Sequence, residues 1–431
     1  MKQRIVITLA VALLGANLLF AAKLYSAAIA KTDKDNPYVQ MELLTRVLEL
    51  IRKDYVDSDK VAYTNLTYGA LRGMLNSLDP HSQFMEPVAY EDMKEDTGGK
   101  FGGLGIQIGL SKDGFVSVIA PIEDTPAARA GIMPGDRIAK IDGKPTDRLS
   151  LSDAVHQLRG EPGTKVTITI FRAKAKDPGE RLKDYTITRA EIPVFSVKDA
   201  KLLESNIGYV RITQFNEPTA DEFEKALAKL EGLGMDALII DLRNNPGGLL
   251  ESANKIAGKF VPAGQLIVST EGRDPQNKLV YKSEYGKKRL SYPIVLLVNN
   301  GSASGSEIVA GALQDLKRAV LVGETTFGKG SVQSIIGLAD GSALRLTTAK
   351  YYTPSHKVIH EHGVTPDISV PISEEDERKL AEQRIRATLP LEEGQEKVEK
   401  IADLQLERAI DLLKGVKLFA RQAKAGKSFT N

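Results

Sequence analysis

Two stretches of this chain, Ala237-Leu238-Ile239-Ile240-Asp241-Leu242 and Pro293-Ile294-Val295-Leu296-Leu297-Val298-Asn299, are apolar at nearly every position. A strand that shows apolar side chains on both faces has to be covered on both, which points to the parallel sheet of an α/β fold with helices packed above and below it. The neighbouring sequence agrees. Ile207-Gly208-Tyr209-Val210-Arg211-Ile212 reads as a further strand, and Thr219-Ala220-Asp221-Glu222 reads as a capping box opening a helix over 222–230. Each apolar strand also runs straight into a tight turn: Arg243-Asn244-Asn245-Pro246-Gly247-Gly248 after the first, Asn300-Gly301-Ser302-Ala303-Ser304-Gly305 after the second. Sheets of this type collect their sites at the carboxyl ends of the strands.

The second turn offers a nucleophile. A serine hydroxyl becomes one when a base removes its proton, and strand, turn, helix is a geometry that exposes such a group. Three serines compete here, Ser302, Ser304 and Ser306. Ser304 also reads as a helix cap, since Ser304-x-x-Glu307 precedes the apolar run Ile308-Val309-Ala310-Gly311-Ala312-Leu313. A cap is compatible with catalysis, because the same helix end supplies N–H groups for an oxyanion. Downstream, Phe327-Gly328-Lys329-Gly330-Ser331-Val332-Gln333 carries a lysine between two glycines. Lysine acts as a base only if burial lowers its pKa from about 10.4 by several units. The even spacing of Lys329 and Gln333 in a strand-like segment predicts that they share a face, with Gln333 holding the amine in line.

Between residues 98 and 189 the texture changes to short alternating strands broken by glycine: Phe101-Gly102-Gly103-Leu104-Gly105-Ile106-Gln107-Ile108, then 115–119, 166–171 and 185–188. Within this stretch Thr125-Pro126-Ala127-Ala128-Arg129-Ala130-Gly131 reads as a short helix capped by Thr125, followed by a Pro134-Gly135 turn and a strand over 138–141. The run resembles a PDZ domain. In that family a glycine-rich loop offers backbone N–H groups to a peptide's terminal carboxylate while the peptide pairs with a sheet edge, and Gly103, Leu104, Gly105 and Ile106 match the loop.

Lys2 and Arg4 precede an apolar run over residues 5–22, and Ala28-Ile29-Ala30 has the small-x-small form of a signal-peptidase site. Residues 1–30 therefore read as an export segment, either cleaved after Ala30 or retained as a membrane anchor through 5–22. Next come two helices: one with Val39, Leu43, Leu44, Val47, Leu48 and Ile51 on a single face, and one over 64–78 that stops at Pro80. The net charge of +2 and the lack of any long basic stretch with interleaved aromatics give no sign of nucleic acid. With no cysteine in 431 residues, disulfides, thiolate catalysis and cysteine metal sites are excluded.

Taken together, Leu78-Asp79-Pro80-His81-Ser82, the PDZ-like run, Asp241-Leu242-Arg243-x-Asn245-x-Gly247-Gly248, Gly301-Ser302-Ala303-Ser304-x-Ser306-Glu307, Gly328-Lys329-Gly330-x-Val332-Gln333 and Tyr351-Tyr352-Thr353-Pro354-Ser355 resemble, in this order, the carboxyl-terminal processing peptidases, also called tail-specific proteases. The resemblance covers nearly everything from Asn36 to the C-terminal helices. It implies an α/β multidomain protein with a mixed α/β protease core, crotonase-like in its βαβ spiral, and an inserted PDZ domain. The domains are then 36–97 helical, 98–189 PDZ, 190–372 serine–lysine protease core and 373–431 C-terminal helices. By position Ser304 is the nucleophile, Lys329 the general base 25 residues downstream and Gln333 its orienting group. The oxyanion donors are Gly305 and one of Gly247 and Gly248. The implied substrates are proteins or peptides with apolar C-termini, the implied assembly is a homodimer, and no metal or cofactor is implied.

Two rival readings make distinct predictions. One is a catalytically inactive PDZ scaffold; the other is a serine–histidine hydrolase using His81. His356, His360 and His362 raise a metal site, with His360 and His362 on one strand face, but a solvated edge strand explains them without one.

Overall fold

The computed structural model describes residues 36–111, 113–173, 175, 177, 181–284, 289–388 and 401–428, together with the single positions 17 and 23. The export and anchor readings of residues 1–30 and 5–22 thus rest, apart from Asn17 and Lys23, on residues outside the described ones. The chain forms two compact units, the first ending at Glu86 and the second starting at Pro87.

In the first unit the helix Pro37–Asp54 is capped by Asn36, whose side-chain oxygen accepts from Tyr38 N at 3.0 Å, and Pro37 fills the first helical position, where no N–H is needed. The helix Tyr63–Asn76 follows, and Tyr68 of that helix packs on Phe84 with ring centroids 4.9 Å apart. Between them the Asp79 carboxylate accepts from His81 N, Ser82 N and Ser82 Oγ, which fixes the turn that ends the second helix.

In the second unit the PDZ-like region is a sheet in which Ile106–Leu110, Val116–Pro121, Arg137–Ile141, Lys165–Phe171 and Leu182–Thr188 lie side by side in that order. Its core, among others Leu104, Val118, Ile138, Ile168 and Ile170, is buried under the helix Leu151–Leu158, which a Ser150–Asp153 capping box starts. Thr125 precedes the helix Pro126–Arg129 as expected, but its hydroxyl donates to Gly105 O and Ile122 O instead of capping the helix.

The region from Val197 onward is built on a six-stranded sheet. We number its elements β1 (Val197–Leu202), β2 (Ile207–Ile212), α1 (Thr219–Gly232), β3 (Ala237–Asp241), α2 (Leu250–Gly258), β4 (Leu266–Gly272), β5 (Leu279–Lys282), β6 (Ile294–Val298), α3 (Gly305–Asp315), β7 (Val320–Gly323), β8 (Ser331–Gly337), β9 (Ala343–Tyr352), β10 (Ile368–Ser369), α4 (Glu374–Thr388) and α5 (Leu404–Ser428). The strand order is β1-β2-β3-β6-β7-β10, with β1 antiparallel and the other neighbours parallel. A second sheet joins β8, β9, β4 and β5 by antiparallel pairs.

The apolar strands are covered on both faces, as their composition requires. Leu238, Ile240, Leu296 and Val298 pack with Phe223, Leu227, Ile256, Val309 and Leu313 of α1, α2 and α3, while Ile239, Val295 and Leu297 face Ala409 and Leu413 of α5. Leu404, the first residue of α5, stays exposed. The capping box at Thr219 does not form: Thr219 is itself the first helical residue, and Glu222 turns away to accept from Ser196 N, Val197 N and Ser196 Oγ. Three donors from β1 and its approach compete successfully with one N-terminal amide. The segment from 353 to 363 is not an edge strand. It is a run of turns with one isolated bridge, Tyr352 to Val358, so spacing says nothing about which histidines share a face.

Candidate active site

β3 and β6 are parallel neighbours, so the turns that follow them emerge side by side at the carboxyl edge of the sheet. Reciprocal bonds stitch the two turns together. Asn244 N donates to Asn299 Oδ1 at 2.8 Å, Asn299 Nδ2 donates to Asn244 Oδ1 at 2.9 Å, and Ala303 N donates to Asn245 O at 3.0 Å. From α4, Glu377 accepts from the side-chain amides of both Asn244 and Asn299 at 3.0 and 2.7 Å. Arg243, buried beside them, is held by Asp241 and by Asp403 near the start of α5. The C-terminal helices therefore brace both turns through Glu377 and Asp403. Sequence reading missed Asn299, Glu377 and Asp403, because nothing local marks a bond to a residue so distant in sequence.

The three serines separate cleanly. Ser302 is buried, donates to Leu242 O at 2.8 Å and accepts from Asn299 N at 3.0 Å. Ser306 is buried and donates to Asn245 O at 2.9 Å. Ser304 is half-buried, and its hydroxyl donates to no backbone carbonyl. It also sits at φ 53° and ψ −109°, a conformation that non-glycine residues avoid and that a tightly bonded environment has to enforce.

Gly305 starts α3, so its N–H has no carbonyl to meet inside the helix. In the facing turn Gly247 N is engaged, donating to Asn245 Oδ1 at 2.9 Å, whereas Gly248 N donates to no described group. Gly247 contributes space instead: at φ +100°, a methyl built on its Cα would lie 2.7 Å from Ser304 Cβ and 2.8 Å from Gly305 N. The turn is pinned from behind by Phe215, whose N donates to Gly247 O at 2.8 Å and whose O accepts from Leu249 N at 2.6 Å.

The lysine loop approaches from the other side. Phe327 N donates to Ser302 O at 3.0 Å, Glu361 N to Gly328 O at 2.8 Å and Tyr351 N to Gly330 O at 3.0 Å. Lys329 is half-buried, and no carboxylate or carbonyl binds its amine among the described residues. Burial holds its pKa below the ordinary lysine value; the guanidinium of Arg345 pushes the same way, and the Glu307 carboxylate opposes both. The Tyr351 hydroxyl donates to Lys329 O, and its burial raises its own pKa, so it remains a phenol.

The expected pairing of Gln333 with Lys329 on one strand face does not hold. β8 begins only at Ser331, after the lysine, and its register slips between Val332 and Gln333. The Gln333 amide donates to Ser331 Oγ at 2.9 Å and more weakly to Thr347 Oγ1 and Ser331 O. With Lys329 outside the strand, the two-residue alternation on which the parity argument depends does not reach it.

The predicted peptide loop lines a second site. Gly103, Leu104, Gly105 and Ile106 border a cavity of about 170 Å³ with Phe101, Ile108, Val155, Leu158 and Arg159. Ile106–Leu110 is the outermost strand of its sheet, and the amides of Leu104 and Gly105 donate to no described carbonyl. His81 belongs to the first unit. His356 bonds Glu271 at 3.0 Å and stacks on Tyr352; no group of three or more His, Cys, Asp or Glu side chains is placed for a metal among the described residues.

A sheet-edge serine held in a strained turn, with a lysine loop beside it and a peptide groove upstream, defines a serine-type peptidase carrying a PDZ domain. The Peptidase family S41 pattern matches residues 206–370 and a PDZ domain pattern matches residues 117–172. A carboxy-terminal-processing protease of Bartonella bacilliformis is 42% identical over 377 residues, spanning 86% of this chain and 83% of the relative. The carboxy-terminal processing protease CtpB of Bacillus subtilis is 36% identical over 363 residues, spanning 83% and 73%. Among solved structures, a photosystem II D1 C-terminal processing protease matches at 31% identity and a TM-score of 0.43, covering 76% of this chain and 92% of that one. The chain belongs to the carboxy-terminal processing proteases of peptidase family S41.

Proposed function

We propose that this protein is an exported endopeptidase that takes an apolar protein C-terminus into its PDZ groove and cleaves nearby peptide bonds through an acyl-enzyme on Ser304. Lys329 in its neutral form removes the Ser304 proton as the hydroxyl attacks the carbonyl. The amides of Gly305 and Gly248 receive the developing oxyanion, and the lysine then protonates the leaving amine. Water attacks the ester in a second pass with the same base. Gly248 is preferred over Gly247 as donor because the Gly247 amide is already spent on Asn245. The orienting role of Gln333 toward Lys329 rests on the resemblance, since its amide donates to Ser331 Oγ and Thr347 Oγ1.

The observation that carries this reading is the contrast among the serines: the Ser302 and Ser306 hydroxyls are held by buried main-chain carbonyls, whereas half-buried Ser304 bonds the Tyr351 hydroxyl instead of a carbonyl. In the PDZ groove, an edge strand, two unpaired amides and an apolar lining are what an extended peptide with a terminal carboxylate requires.

The basic-then-apolar start of the sequence supports export, with the mature protein in the periplasm or an equivalent extracytoplasmic space, released by cleavage or anchored through residues 5–22. Homodimerisation is supported by the helix Pro37–Asp54, which buries no residue and leaves Val39, Leu43, Val47 and Leu50 exposed.

The test is cleavage of an unfolded protein with an apolar C-terminus by wild type, Ser304→Ala and Lys329→Ala. Wild type cleaves and the two variants do not; equal cleavage by all three refutes the serine–lysine reading. Loss of turnover in His81→Ala with Lys329→Ala still active would move the mechanism to histidine.

A further inference from the structure

Glu307 is completely buried on the first turn of α3, and its carboxylate accepts four hydrogen bonds. Oε2 receives Ser304 N at 2.8 Å and Lys329 N at 2.9 Å; Oε1 receives Gly328 N at 2.7 Å and the Thr326 hydroxyl at 2.6 Å. The Thr326 oxygen itself accepts from Val364 N at 2.7 Å, so its one proton is committed to the glutamate. Burial pushes the Glu307 pKa above the ordinary carboxylate value while its four donors oppose that shift, and with no acceptor around it a protonated acid would have to point its proton at an N–H. The geometry is that of a carboxylate anion.

Two of these donors are the main-chain amides of the proposed nucleophile and the proposed base, and both end on the same oxygen atom. Their nitrogens cannot separate further than those two bonds laid end to end. A capping glutamate ordinarily serves one helix end. This one reaches past its own cap to the loop that begins after β7 and fixes that loop at two successive residues. It also holds Ser304 in its strained backbone conformation from the N–H side.

We propose that Glu307 is a positioning residue of the peptidase reaction, the single joint that sets the separation of the serine turn from the lysine loop. This rests on the reading of Ser304 and Lys329 as nucleophile and base. Glu307 touches neither the hydroxyl nor the amine, so its effect reaches the chemistry through the backbone. It has a second, electrostatic consequence. The charged or titratable groups acting on Lys329 are Glu307 from α3 and Arg345 from β9, with the Tyr351 hydroxyl on the lysine's carbonyl; His360 and His362 present main-chain atoms to Gly330 and Gly328. Of these, Glu307 is the one that favours the ammonium form.

Glutamine at this position keeps the shape, removes the charge and aims an NH2 at amide donors; aspartate keeps the charge but withdraws it by one methylene. The experiment measures kcat and KM against pH with a fluorogenic peptide ending in an apolar residue, for the full chain and for Glu307→Gln, Glu307→Asp, Ser304→Ala and Lys329→Ala, with circular dichroism on each. Glu307→Gln is expected to lose about 10- to 100-fold in kcat, as for a displaced catalytic pair, with KM unchanged. Its acid limb moves to lower pH, since the anion that favoured the ammonium is gone. Glu307→Asp loses kcat but keeps the wild-type limb. A wild-type kcat in either folded variant, an unmoved limb in folded Glu307→Gln, or loss of the folded spectrum in both variants overturns the proposal. If Ser304→Ala or Lys329→Ala turns over like wild type, the underlying serine–lysine reading fails. If both are dead while Glu307→Gln is unimpaired, only the joint fails.

Discussion

The two sites of this molecule are built on opposite principles. Around Ser304 nearly every polar atom is spoken for: Ser302, Ser306, Asn244, Asn245, Asn299, Glu307 and Glu377 all end on partners from other turns or helices. In the PDZ groove the edge strand and the Leu104 and Gly105 amides are open, and the lining is largely apolar. A saturated network holds a strained serine and the two amides proposed as oxyanion donors in place before substrate arrives, which is what stabilisation of a transition state requires. An unsaturated edge gains its bonds only when a peptide supplies them, which is what binding requires. The contrast predicts that variants of the first site change kcat and variants of the second change KM.

The largest effect is expected from Ser304→Ala, which should remove at least about 10³-fold of turnover while tail-peptide binding, read by calorimetry, stays as in wild type. Gly247→Ala comes next. Its methyl would fall on the space between Ser304 Cβ and Gly305 N, and losing an oxyanion contact costs about 10²- to 10³-fold in kcat, read at saturating substrate. In the groove, Val155→Asp places a charge against the peptide's apolar end, and KM should rise roughly 10- to 100-fold with kcat held, a penalty of about 1–3 kcal/mol. The smallest effect belongs to Arg345→Gln. A base works only when deprotonated, so activity rises with pH through the Lys329 pKa, which burial and Arg345 lower. Removing the guanidinium lets that value climb, and the acid limb of the rate profile should move to higher pH, the reverse of the shift expected for Glu307→Gln.

What the sequence made legible follows the range of the forces involved. The doubly buried strands were readable from 237–242 and 293–299 because covering two apolar faces is a local demand with few global answers. The resemblance likewise gave the family through several motifs in order. Which serine hydroxyls are taken by main-chain carbonyls was not readable from local pattern, because it depends on Leu242 O and Asn245 O, brought in by another strand. The same holds for Gly247 against Gly248, decided by a side chain two residues away that could have bonded elsewhere. Periodicity misled at Gln333, because β8 begins only after Lys329, and at 353–363, where turns replace a strand. The Thr219 box failed because Glu222 found three donors outside its own helix.

The central claim is that Lys329 activates Ser304, and covalent labelling tests it most directly. Wild type and Lys329→Ala are treated with a serine-reactive fluorophosphonate across a pH series, and the labelled residue and its rate are read by mass spectrometry. The account predicts a single adduct on Ser304, forming faster as pH rises through a limb below the ordinary lysine range of about 10.4, and no comparable labelling in Lys329→Ala. Labelling of Ser302 or Ser306, or equal rates on Ser304 with and without the lysine, would contradict it.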